Sequence, residues 1–157
     1  MPHLPEGRWA DLETAEPDLA ARGRALLERS GHGTGLLATV RDDLPPRIHP
    51  MSVAIVEGAL LTVALADSAK ARDLQADGRY ALHSHQDPAR PDEFQVRGRA
   101  SVVADPAFRA RAVAQWQFDV ADEDVVVELR IQHALLGERP DADAWPPVYR
   151  SWRPPAR

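Results

Sequence analysis

The chain has 157 residues, a formal net charge of -5 and no cysteine. That length supports one hydrophobic core, and the missing cysteines exclude disulfides, thiolate metal centres and cysteine nucleophiles. The acidic balance argues against a nucleic-acid binder, which needs concentrated positive surface, and no apolar run reaches the ~20 residues that cross a bilayer.

The opening "MPHLPEGRWADLE" reads neither as a basic leader nor as an apolar signal segment, so the expected location is cytoplasmic, with no membrane and no nucleic acid as partner. Residues 17 to 30, "PDLAARGRALLERS", predict a helix: Pro17 suits a first turn, and Leu19, Leu26 and Leu27 share a face. "GHGTG" breaks it. The period then changes, and "LLATVR" (36 to 41), "RIHPMSVAIV" (47 to 56) and "ALLTVALA" (59 to 66) read as successive antiparallel strands. "AKARDLQAD" (69 to 77) is helical, with Asp67 or Ser68 as N-cap, and "RYALHSH" (79 to 85) returns to strand. In "EFQVRGRASVV" (93 to 103), Phe94, Val96, Gly98, Ala100 and Val102 alternate with Gln95, Arg97, Arg99 and Ser101, which predicts one polar or ligand-facing side. "DPAFRARAVAQW" (105 to 116) is a helix capped by Asp105, and "DVVVELRIQH" (124 to 133) alternates with Val125, Val127, Leu129 and Ile131 inward. "VYRSWRPP" closes the chain as a short strand.

Six or seven strands with three inserted helices, in an order that is not β-α-β-α, predict a mainly β fold: an antiparallel barrel with peripheral helices. We expect one domain over residues 1–157, with the helix at about 17–30 and the barrel at about 35–152.

Lys70 is the only lysine; every other basic position is arginine. At a helix start, Ser68, the free amides of residues 69 to 71 and the Lys70 ammonium form a candidate phosphate clamp. A solvated surface residue is the plainer alternative, and Asp67 counts against an anion. Pro50 interrupts a strand and demands an edge or a distortion there, leaving neighbouring backbone groups free. Strand alternation puts Arg47, His49 and Met51 on one face and Ile48, Pro50 and Ser52 on the other. His83 and His85 share a face, but a metal needs a third ligand and the remaining histidines are scattered, so no metal is expected. "GHGTG" follows a helix and precedes a strand, the reverse of a dinucleotide loop. Of the tryptophans, Trp145 and Trp152, each flanked by prolines, are the interface candidates.

Taken together, "LLATVRDDLPPRIHPMSV", "SAKARDLQAD" followed by "RYALHSH", and "EFQVRGRASVV" resemble the pyridoxamine 5'-phosphate oxidase-like, FMN-binding split-barrel family across about residues 20 to 104, and "YRSWRPP" resembles an ending common among its members. The resemblance implies a split β-barrel homodimer holding FMN, or in some branches the deazaflavin F420, at the subunit interface. It assigns Lys70 to the cofactor phosphate with Ser68 beside it, and makes Arg47, Ile48, His49 and Pro50 candidates for contacts to phosphate and ring. Gln95 matches a cofactor-contacting glutamine, and Trp152 is implied to approach the partner subunit's cofactor. The oxidase proper carries a lysine and an arginine where this chain has Ser52 and Ala69, so the resemblance is to the family rather than to that enzyme. The expected function is a flavin- or deazaflavin-dependent oxidoreductase acting on a small molecule, with His49 the one nearby proton donor. The rival expectation is a non-catalytic barrel that binds flavin or haem.

Overall fold

A computed structural model describes residues 3–156. It opens with a helix that the sequence pattern did not announce, α1 (Trp9–Ala15), whose first turn is closed by a bond from the Arg8 amide to the Asp11 carboxylate at 2.6 Å. Seven residues are too few to display a helical period, yet Trp9 and Leu12 are both fully buried. α2 (Pro17–Leu27) starts at Pro17 as expected and stops short of residue 30; Glu28 is its C-cap, and Gly31 at φ 94° then turns the chain. β1 (Thr34–Thr39), β2 (Arg47–Val56) and β3 (Ala59–Ala64) follow, the last two joined by Glu57 and Gly58 at φ 49° and 73°. Two successive positive φ angles are those of a type I′ hairpin turn, which matches the natural strand twist. Next come α3 (Ala69–Ala76), β4 (Arg79–His83), β5 (Glu93–Val102), α4 (Pro106–Val113), β6 (Val125–Glu138) and β7 (Val148–Trp152). Asp105 caps α4 through the Ala107 amide, as its sequence predicts.

The strands pair in the order β3-β2-β1-β4-β5-β6-β7, all antiparallel, and β3 also pairs with β6. That last pairing closes six strands into a barrel and leaves β7 as an added strand on β6. The fold is therefore the split β-barrel that the sequence pattern and the resemblance predict. Closure works because β6 is long: residues 125–128 serve β3, and residues 134–138 serve β7. Between these halves the β5–β6 register shifts, with Arg97 opposite His133 but Gly98 opposite Ile131. The extra residue, Gln132, flips the alternation, so the buried positions change from Val127, Leu129 and Ile131 to Ala134 and Leu136. This is why the expected strand end at residue 133 falls short: "ALLGE" continues the strand on the opposite parity. Val102, on the same face as the buried Phe94 and Val96, is 48% exposed, at the end of β5 beyond its pairing with β4.

The core runs from the barrel interior into the α1–α2 layer: Leu37, Leu82, Phe94, Val96 and Leu129 meet Trp9, Leu12, Leu19 and Leu27. Trp9 meets Phe94 edge-on at 5.9 Å between ring centroids. Gly23 lets α2 lie directly on that ring, since a Cβ there would fall 2.6 Å from it. Among the described residues no helix is long and apolar enough to cross a membrane.

At the bulge, a Cβ on Gly98 would collide with the Arg130 carbonyl oxygen, a backbone atom that cannot move without breaking the ladder. Gly98→Ala is therefore expected to destabilise by about 3 kcal/mol or more, read as a lower midpoint in urea unfolding; an unchanged midpoint would mean the bulge relaxes freely.

Candidate functional site

β2 is longer than its partners on either side, and the offset creates the site. The type I′ turn makes Val56 and Ala59 a hydrogen-bonded pair, so the backbone groups of even-numbered β2 residues point toward β3 and those of odd-numbered ones toward β1. The bond from the Val53 amide to the Gly33 carbonyl at 2.9 Å agrees with this parity. β3 pairs only residues 53–56, whereas β1 pairs only residues 47–52. Ile48, Pro50 and Ser52 thus turn their backbone groups toward a side with no strand, apart from one bond from the Thr62 hydroxyl to the Ser52 carbonyl. Pro50 sits there at no cost to the ladder, in a strand that is central by topology but an edge at that position.

A cavity of about 200 Å³ lies along this open edge, lined by Pro50, Met51, Ser52, Lys70 and Phe118 together with Asp119 and Asp124. Lys70 is in the first turn of α3. Ser68 is the N-cap: its hydroxyl accepts from the Ala71 amide at 3.2 Å and donates to the Leu65 carbonyl at 2.7 Å. The hydroxyl proton is thus committed within the chain, and Ser68 shapes the turn rather than offering a free donor. The Arg72 amide is taken by the Ser68 carbonyl, while the Ala69 and Lys70 amides have no acceptor among the described residues. Asp67 directs its carbonyl to Arg72, and Asp124 accepts from the Ala66 and Ala121 amides, one at each carboxylate oxygen. Two free amides at a helix start with an ammonium beside them suit an anion such as a phosphate.

Arg47 and His49 lie on the opposite face of β2, over the end of the barrel interior. There the structure assembles a group that the sequence alone did not single out. Asp73 of α3 is 2% exposed; its Oδ2 accepts from the Thr39 hydroxyl at 2.9 Å, with Arg47 Nε at 3.6 Å. Its Oδ1 is buried with no hydrogen bond, the Arg41 Nε lying 4.0 Å away. The Thr39 hydroxyl also meets His49 Nε2 at 3.3 Å. Partial burial pushes the His49 pKa below the usual histidine range, and the Lys70 and Arg47 charges add to this against the opposing pull of Asp73. Arg41, Thr39 and Asp73 escaped sequence reasoning because a threonine at a strand end and an aspartate in a polar helix carry no signal of burial.

The remaining candidates lie elsewhere. Ile48 is 69% exposed on the outer sheet face. Register carries one outward row from Pro50 through Leu36 and His83 to Gln95, which at about 4.8 Å per strand puts Gln95 roughly 14 Å from Pro50. Trp152 packs in the core of its own protomer, 8% exposed and against Gly7, on β7, which pairs with β6 and not with β2. Nothing gathers it with Lys70 in a single protomer. A second cavity, of about 520 Å³, opens on the other side of β2; Ser52 and Phe118 line both cavities, and Trp116, His32 and Ile55 line the larger one.

Residues 21–136 match the model of the family described as pyridoxamine 5'-phosphate oxidase. The chain belongs to that family. No curated protein matches it. Among solved structures it resembles a candidate pyridoxamine 5'-phosphate oxidase from Listeria innocua, with 18% identity and a TM-score of 0.59, over 73% of this chain and 94% of that one. It also resembles a heme binding protein from Mycobacterium smegmatis, with 17% identity and a TM-score of 0.64, over 85% of this chain and 57% of that one. A third likeness is to HutZ, the heme storage protein of Vibrio cholerae, with 14% identity and a TM-score of 0.57, over 74% and 89% of the two chains. At such identities the structural likenesses establish the fold.

Within this family member, His49 and His133 both have pKa values held below 6.5, in each case first by burial and then by neighbouring cations. As pH falls through 6.5 the unfolded chain takes up protons before the folded one, so stability is complete above that pH and declines below it, levelling out below the folded pKa values. Urea midpoints measured from pH 7.5 to 5.5 should fall for the parent chain and fall less for a His49→Gln, His133→Gln double variant; parallel slopes would contradict the assignment.

Proposed function

We propose that this protein is a flavin-dependent oxidoreductase that holds FMN, or alternatively F420, with the cofactor phosphate at the start of α3. The observation that carries this reading is the conjunction of Lys70 and the unpaired Ala69 and Lys70 amides with the open backbone edge of β2, within a chain of this family. In this reading Lys70 neutralises the phosphate, the two amides donate to its oxygens, and the free backbone groups of Ile48 and Pro50 meet the polar edge of the ring. Arg47 adds positive potential from the other face. The flavin, when bound, supplies the hydride chemistry. The protein orients it and screens it from water, and the larger cavity beyond Ser52 and Phe118 receives the small-molecule substrate. Its named lining carries no lysine or arginine, which favours an uncharged or cationic substrate over a phosphorylated one.

A homodimer completes the proposal. Ile48, Pro50, Leu36, Ala38 and Ala81 form a patch on the outer sheet face, with Ile48 and Leu36 69% and 37% exposed. A second copy seated there would cover this apolar surface and bring further residues to the cofactor. The rival reading, a barrel that binds flavin or haem without turnover, is favoured by the two structural likenesses to heme proteins.

Titration of the purified protein with FMN, followed by flavin fluorescence and run beside F420, tests the cofactor. Lys70→Ala is expected to weaken FMN by about tenfold to a hundredfold, the loss of a hydrogen bond to a charged group; unchanged affinity would remove the clamp. Reduction of the bound flavin by NAD(P)H and reoxidation by an acceptor would support the enzyme, and tight binding with no turnover the rival. For the dimer, Ile48→Glu should shift sedimentation to the monomer, and a dimer indifferent to that change would place the interface elsewhere.

A further inference from the structure

The group formed by buried Asp73 and Thr39 with half-buried His49 has a direction that hydrogen-bond arithmetic determines. Asp73 lies between Arg47 Nε, 3.6 Å from one oxygen, and Arg41 Nε, 4.0 Å from the other, and as a carboxylate beside two cations it only accepts. The Thr39 hydroxyl has a single proton, and it is directed to Asp73 Oδ2 at 2.9 Å. Its remaining capacity toward His49 Nε2, 3.3 Å away, is as an acceptor, so Nε2 carries the proton. Nδ1 of the neutral ring then holds a lone pair. Among the described residues Nδ1 has no hydrogen-bond partner and is not one of the buried unpartnered atoms, so it is open to solvent.

We propose that Asp73 and Thr39 are positioning residues that lock His49 in its Nε2–H tautomer, and that His49 Nδ1 accepts a hydrogen bond from a hydroxyl or N–H group of the ligand held near Arg47 and Lys70. The ligand class is thus an anion carrying a donor close to its charge, such as a polyol phosphate, rather than a bare phosphate. The ligand half of this proposal rests on the cofactor site proposed above; the tautomer does not. The charged groups that face His49 are Arg47 on its own strand and Lys70 and Asp73 on α3, with Arg41 beyond Asp73. Partial burial first, and then the Lys70 and Arg47 charges against the pull of Asp73, favour the neutral ring, which preserves Nδ1 as an acceptor. The orphaned Asp73 Oδ1 fits the same assignment: the carboxylate is retained at the cost of one unpaired oxygen, and its one hydrogen bond is the one that orients Thr39.

The test is nitrogen-15 NMR of histidine-labelled protein without ligand at pH 8, with the His49 signals assigned from a His49→Gln spectrum. The expected result is one tautomer, with Nε2 protonated and its proton protected from exchange with water. Thr39→Val should give the mixed tautomers of a free imidazole and lose the protected proton, and Thr39→Ser should restore both. A mixed or Nδ1–H ring in the parent chain overturns the lock without reference to any variant, as does a Thr39→Val spectrum identical to the parent's. FMN then serves as the ligand probe: on saturation the Nδ1 resonance should move while Nε2 keeps its proton. Bound FMN with an unmoved Nδ1 overturns the acceptor role. Failure of FMN to bind overturns the cofactor reading and the ligand half, while the ligand-free spectrum still decides the lock.

Discussion

The structure depends on the closure of β3 onto β6, because that pairing forces β2 into an offset that no single hairpin would have. To turn six strands into a barrel, neighbouring strands must be staggered. Here the stagger is concentrated on β2, which offers its first half to β1 and its second half to β3. Each half therefore has one satisfied edge and one open edge. Open backbone groups are costly when buried, and the chain meets that constraint with a proline at Pro50, a threonine bond to Ser52 and two cavities that water or a ligand can fill.

The candidate site follows from this offset. α3 crosses from β3 to β4 just where the β3 side of β2 is bare, so the start of the helix and its lysine stand beside exposed backbone. The same helix turns Asp73 inward on its next turn, beneath Thr39 and between two arginines. One short helix thus carries a cation toward the groove and an anion beneath the strand, and the strand presents Pro50 to the first and His49 to the second. Separating the charges on two faces keeps the carboxylate from cancelling the lysine.

Burial tunes the two half-buried histidines more than neighbouring charge does. For His49 and His133 alike, burial is the largest influence and neighbouring cations reinforce it. The exposed ion pairs, such as Arg79 with Asp77 and Arg111 with Glu57, shift the pKa values of their own partners but sit away from the groove. At such exposure they contribute little to stability. The cation that lines the groove beside Pro50 is the single lysine, Lys70.

Much was legible from residues alone. Period-two alternation marks β5 and the first half of β6, the Glu57–Gly58 turn announces its hairpin, and Ser68 and Asp105 declare their helix starts, because each is a local preference of backbone and side chain. Lys70 was conspicuous as the only lysine, and the even and odd faces of β2 follow from strand geometry. Other features required the folded chain. The parity flip at Gln132 is set by where β5 meets β6, and the open edges of β2 by which partners end where. Neither leaves a mark in the local sequence. Trp152, an interface candidate by its place among prolines near the C-terminus, packs against Gly7 within the single protomer. Asp73 lies 34 residues along the chain from Thr39, and none of Asp73, Thr39 and Arg41 stands out in composition. Only tertiary packing, which places α3 under the ends of β1 and β2, makes them a site, since burial and mutual distance are properties of the fold and not of any segment.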